Sequence, residues 1–267
     1  MGVRARRFVR PASCLALPLC VFVALSERGR AQGKELSVVP GIIVHAGRPR
    51  GVDTVVYKRL VTRAGIDSMA GTRTVVSRVM EGVDRQQLLE VEQRFPAGGG
   101  EIVDTAVAEL RTLRAVAHRS HQPTKTMRFE FDGSGAEGTV VEIAAHDDSA
   151  AREQPVHQSL GGPIFDSNII DLVVASLPLE RGFSAELPFF IYERGGRVEM
   201  PVAVRERTSV DLSRLGHRDV WIVTVGIPGA PATMWVDAKT HVALRVRYDI
   251  AARGVSFTDE RITPLRG

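Results

Sequence analysis

From Val242 the chain alternates, and that alternation limits what it can become. Val242, Leu244, Val246, Tyr248 and Ile250 fall on one face of an extended segment. His241, Ala243, Arg245, Arg247 and Asp249 fall on the other. Period two marks a strand with one buried face. The run is preceded by Trp235-Val236 and a polar turn, Asp237 to Thr240, which predicts a closing β-hairpin.

The same signal recurs upstream. Thr54–Thr62, Thr72–Met80, Gln87–Phe95, Ile102–Leu110 and Leu113–His118 read as strands, although 109–114 also suits a helical turn. Met127, Phe129 and Phe131 alternate with charged residues before Gly133-Ser134-Gly135 and the apolar run 139–143, a second hairpin. Leu187–Glu193 and Val198–Arg205 flank a third turn, Arg194–Arg197. Val220–Val225 and Thr233–Val236 lead into the closing strand. Residues 144–163 are polar and read as a surface loop. One helix is expected over Asp166–Leu177, capped by Asp166 or Ser167 and ended by Pro178. Phe165, Ile169, Val173 and Leu177 share its apolar face, and a buried strand is the alternative because the segment is rich in β-branched residues.

The start of the chain reads as an export signal. Arg4, Arg6, Arg7 and Arg10 precede the twelve apolar residues Cys14–Leu25, with cleavage expected after Ala31. Twelve residues fall short of the roughly 20 needed to cross a bilayer. Residues 32–52 follow as an extended lead-in, and 53–267 as one β-rich domain of two meanders joined by loop 144–163 and helix 166–177. The expected location is the periplasm or the medium, with no stable membrane span after cleavage.

Charge then excludes a partner class. Of 35 basic and 31 acidic residues, six Arg and one Glu lie in 1–31, leaving 29 and 30 and a net charge of −1. Without a basic surplus, nucleic-acid binding has no electrostatic support. Both cysteines also lie in 1–31, so the remainder lacks thiolate metal ligands.

Several motifs invite chemistry. Residues 133–138 match the glycine pattern of dinucleotide sites, but the helix that would hold a pyrophosphate is replaced by a β-branched run, so a hairpin is expected. His118 and His121, with His146, Asp147 and Asp148 further on, read as solvated surface residues rather than a metal site. The acidic residues are expected on outer strand faces, with no pair suited to acid–base work. No catalytic residue, metal or cofactor is therefore expected.

The pieces Phe165-Asp166-Ser167-Asn168, Leu177-Pro178-Leu179, Gly182-Phe183, Leu187-Pro188-Phe189 and Trp235-Val236-Asp237 carry a resemblance. Over roughly residues 50–250 the chain resembles the exported bacterial family called domain of unknown function 3108. More distantly, its plan is similar to the periplasmic lipoprotein carriers and sigma-factor regulators, curved incomplete β-barrels whose apolar concave face is covered by helices. The resemblance implies a mainly β fold with one or two helices: a curved antiparallel sheet, or incomplete barrel, with a helix packed on its concave face. It implies no activity, so fold analogy alone does not assign one. The expected role is a non-enzymatic binding or carrier protein for an apolar ligand such as a lipid, with Phe165, Ile169, Val173, Leu177, Phe189 and Trp235 as lining residues. An assembly partner in the cell envelope and an envelope hydrolase remain alternatives.

Overall fold

A computed structural model describes residues 36–37, 40, 52–97, 99–144, 147–192 and 194–265. The expected signal peptide, most of the lead-in and His146 lie outside the described residues. All described residues belong to one unit, Gly33–Gly267.

The alternating segments become one large, curved, unclosed sheet. A two-residue β1 (Leu36–Ser37) comes first, and the first meander then runs through β2 (Asp53–Arg63), β3 (Ile66–Glu81), β4 (Gln87–Ala97), β5 (Gly100–Glu109), β6 (Ala115–Gln122), β7 (Lys125–Phe131), β8 (Gly135–Ala144) and β9 (Asp147–Ser159). After the two-residue β10 (Phe165–Asp166) come a 3-10 turn, Ser167–Ile169, and a helix α1, Ile170–Ala175. The second meander is β11 (Ser184–Ile191), β12 (Gly196–Leu212), β13 (Gly216–Val225), β14 (Ala232–Asp237), β15 (Ala243–Ile250) and β16 (Val255–Arg261). From β2 to β9 and from β11 to β16 every neighbour is antiparallel, and β16 pairs with β2 from Val255↔Arg63 to Arg261↔Tyr57. That pairing joins the last described strand to the first long one. β9 ends the sheet on one side. On the other, β11 pairs in parallel with β10 and β1.

Three sequence expectations change. The stretch read as a surface loop holds β9, which pairs with β8 from Gly135↔Ser159 to Ala144↔Asp147. Backbone groups on the β8 edge need partners, and a largely exposed polar strand supplies them as well as an apolar one. The helix is shorter than predicted. Ile169, Ile170, Val173 and Val174 resist helix through their stiff χ1, and only six residues hold α geometry. Its expected cap forms, as the Asp166 carboxylate accepts the Asn168 N–H at 2.7 Å. Finally, β16 is a strand that the sequence reading did not mark.

The closing strand holds a subtler correction. Trp235 pairs with Arg245 but Val236 pairs with Ala243, a bulge that leaves Leu244 over. A bulge shifts the alternation by one. Ala243 and Val246 therefore join the main core, whereas Leu244 packs on a separate cluster with Leu212 and Val220.

The glycine pattern resolves as turn and packing. Gly133 has φ of +92° in the β7–β8 hairpin, where Asp132 accepts the N–H groups of Ser134 and Gly135 at 2.8 and 2.7 Å. Gly138 pairs with Phe129, and a Cβ there would lie 2.7 Å from the Phe129 ring.

The main core draws Val55, Val75, Leu89 and Val91 from the first meander and Met200, Val202, Val223 and Val246 from the second. The helix contributes Val173 and Val174 to it. A second cluster joins Phe129 and Phe131 to Phe190, whose ring meets each of theirs edge-on at 5.0 Å. Adjacent Phe189 and Phe190 thus serve different clusters, and both are fully buried. No described helix is long and apolar enough to cross a membrane.

Candidate functional site

Inward-facing positions of the first meander turn from apolar to polar along each strand. In β2 the series is Val55, Tyr57, Arg59, and in β4 it is Leu89, Val91, Gln93. In β3 it runs backward from Val75 to Arg73, and in β5 from Ala106 to Asp104. Register aligns the polar ends into a row, since Gln93 pairs with Asp104 and Asp104 with Ser120 of β6. Polar groups so deep must be hydrogen-bonded to persist.

They are bonded in two networks. Arg73 is the centre of the first. Its Nε donates to Gln93 Oε1 at 2.8 Å, its Nη2 to Asp171 of α1 at 3.2 Å and its Nη1 to Asp259 of β16 at 3.5 Å. Arg59 grips the same Asp259 with two bonds of 2.7 Å, the fork geometry that suits guanidinium and carboxylate. Gln93 Nε2 donates to the Asn168 carbonyl. Strands β2, β3, β4 and β16, the 3-10 turn and α1 meet here. Burial opposes the Arg73 charge, but Asp171, Tyr248, Asp259 and Tyr57 outweigh it and raise its pKa. Burial also pushes the Tyr57 hydroxyl up and the Tyr248 hydroxyl up to about 12.

The second network adjoins it. His118 Nδ1 lies 2.8 Å from Asp166 Oδ2, both side chains fully buried, and the imidazole stacks on Tyr192 at 4.4 Å. The Tyr192 hydroxyl donates to Asp104 Oδ2 at 3.2 Å and Ser120 Oγ to Asp104 Oδ1 at 2.5 Å. Burial raises the Asp104 pKa against the lowering effects of Ser120, His118 and Tyr192.

Between the networks lies a cavity of about 160 Å³. Arg73, Gln93, Asp104, Asn168 and Ile170 are its buried residues; Arg59, Phe95, Ser167, Tyr192 and Tyr248 are partly exposed. The Asn168 side-chain amide nitrogen has no hydrogen-bond partner among the described residues, although the residue is only 8% exposed. Among the described residues no three His, Cys, Asp or Glu side chains form a metal-ligand set.

The predicted lining residues divide. Phe165, Ile169, Val173, Leu177 and Phe189 come together, none more than 1% exposed, as part of the main core beside this cavity. None of them lines it. Trp235 is elsewhere. It packs half-buried with Leu212, Val220 and Leu244, under the Arg245 guanidinium at 5.6 Å. Period two explains the split, because Met234 and Val236 face the main core and Trp235 between them cannot.

His118 corrects the expectation of a surface histidine. It is fully buried, while His121, three residues on along a strand, is exposed. Acidic residues are not confined to outer strand faces: Asp104, Asp166, Asp171, Asp237, Asp259 and Glu260 are buried. A detectable signal existed in the polar residues at inward parity on successive strands. For Asp259 there was none, since β16 itself was not marked.

The family model described as "Protein of unknown function (DUF3108)" matches residues 55–258, the span that holds both networks except Asp259. The chain belongs to the DUF3108 family. Two solved structures resemble this DUF3108 protein. One is the crystal structure of a beta-barrel-like protein of domain of unknown function DUF1849 from Brucella abortus, with 9% identity and a TM-score of 0.46 over 85% of this chain and 97% of that one. The other is a DUF1329 family protein from Desulfovibrio piger, with 12% identity and a TM-score of 0.29 over 79% and 83%. No curated protein matches the chain.

Proposed function

We propose that this DUF3108 protein is an exported, non-enzymatic binding or carrier protein of the cell envelope. In this reading the helix lies on the concave side of the half-barrel, and the ligand enters the cavity at the helix start. The Arg-rich start and twelve-residue apolar run support export to the periplasm or the medium. One observation carries the binding role. The cavity floor is held by paired guanidinium and carboxylate groups, so its polar atoms are fixed before a ligand arrives. Such preorganisation lowers the ordering cost of binding.

The ligand class follows the wall. A lipid would enter by its polar head, because the apolar residues first expected to line a pocket are packed in the core. A hydrolase is less well supported. Ser120 donates its hydroxyl proton to the Asp104 carboxylate, so the serine is not aimed at an imidazole base. An assembly role along β9 is also less well supported, since Arg152, Glu153 and Pro155 are exposed on that edge strand and blunt pairing.

The test is thermal melting with fractions of envelope extract. A ligand that binds only the folded state raises the melting temperature with concentration. Wild type should gain stability from at least one fraction, and Ser167→Trp, which crowds the cavity mouth, should gain none. Equal responses in both proteins would contradict the reading.

A further inference from the structure

We infer that the cavity takes a neutral, hydroxyl-bearing group about the size of one sugar ring, either free or as the head of a glycolipid. The inference rests on the binding reading above and names its ligand chemistry.

Size sets the first limit. At ~30 Å³ per water, 160 Å³ holds the equivalent of about five waters, below the range of ~300 Å³ and more typical of drug-sized pockets. A whole acyl chain or a nucleotide is too large. Charge sets the second. Arg59 and Arg73 are matched by Asp259 and Asp171, so neither cation is left to receive an anion. Asp104 adds a further carboxyl whose partners are Ser120 and Tyr192, and when ionised it repels a phosphate. A cationic ligand would face both guanidinium groups across the same small space. An alkyl chain would strip water from Asp104, Arg59 and Ser167 without returning hydrogen bonds.

What fits is a group with hydroxyl edges and apolar C–H faces. The Asn168 amide supplies donors with no partner among the described residues, and Ser167 and Asp104 add oxygen atoms to the lining. Phe95, Tyr192 and Tyr248 supply ring surface. A few placed polar groups among aromatic ones are the usual composition of a small-molecule site.

The experiment is saturation-transfer NMR on the exported chain. The probes are methyl glucoside, methyl N-acetylglucosaminide, inorganic phosphate and oleate, with vesicles carrying or lacking a glycolipid in parallel. Asn168→Ala keeps the backbone groups that bond Asp166 and Gln93 and removes only the amide. It should weaken glycoside binding about tenfold, the equivalent of one hydrogen bond, while melting like wild type. Phe95→Ala should weaken it as well. Binding to glycolipid vesicles with no signal from free glycosides supports the headgroup as source; free glycosides alone support a soluble sugar. Glycoside binding unchanged in Asn168→Ala, Phe95→Ala and Ser167→Trp would overturn the inference. So would phosphate or oleate binding that Ser167→Trp abolishes while glycosides stay silent, and that result would leave the binding reading standing. Silence from every probe and every envelope fraction would remove both.

Discussion

Arg73 and Asp171 meet at 3.2 Å across 98 residues of sequence, with side chains only 4% and 8% exposed. The pair ties α1 to β3, and through Asp259 to β16. Breaking such a pair is costly because the remaining charge stays buried. Arg73→Met should destabilise the protein by about 3–5 kcal/mol. Arg73→Met combined with Asp171→Leu should lose less, since no lone carboxylate is then left on the helix. Urea denaturation of the two variants checks this. A double variant less stable than the single one would contradict it.

Asp104 gives a pH dependence with a defined sign. Burial raises its folded pKa above the ordinary carboxylate value. The native state therefore binds its proton more tightly than the unfolded state does, and the associated stability is lost as pH rises through the folded pKa. Asp104→Asn keeps an acceptor for Ser120 but cannot ionise. Its melting temperature relative to wild type should rise as pH is taken from about 4 toward neutral. A difference that is flat or falls over that range would show that the carboxyl is not penalised by burial.

Gly138 tests the hairpin packing. A Cβ at this position meets the Phe129 ring and the Arg128 carbonyl, which is backbone and cannot swing away. Gly138→Ala should cost about 3 kcal/mol, whereas Gly99→Ala faces no steric neighbour and bears only its positive φ. Paired melting curves decide between them, with Gly138→Ala expected to be the lower.

Phe165 and Trp235 separate core from surface. Phe165→Ala removes a fully buried ring and should cost about 3–5 kcal/mol. Trp235→Ala removes a half-buried ring from a small cluster on the other side of its strand. It should cost clearly less and leave ligand response unchanged. A Trp235 variant that loses the response would place that ring at the site after all.

Most strands, three hairpins and the Asp166 cap were legible because each is written locally, as alternation, a glycine or polar turn, or a short side chain before an apolar run; the polar β9 and the terminal β16 carry no such signal. Nor was the site legible. Arg59, Arg73, Gln93 and Asp104 share the parity of apolar neighbours in their own strands, but their polar chemistry argues for solvent when each strand is read alone. Only pairing shows that they occupy inward positions at one level of the sheet. Leu244 shows the same limit, because a one-residue bulge between β14 and β15 reverses its face without a mark in its own strand. Asp259 needed the partner strand β2 to become visible as the acceptor for Arg59.

The central claim is that the cavity between the two buried networks holds a small polar ligand. Native mass spectrometry of protein isolated from its own cell envelope tests it most directly. Wild type should carry a small-molecule adduct with the mass of a sugar or glycolipid, and Ser167→Trp isolated alongside should carry none. Wild-type protein free of any adduct, or an adduct retained equally by Ser167→Trp, would contradict it.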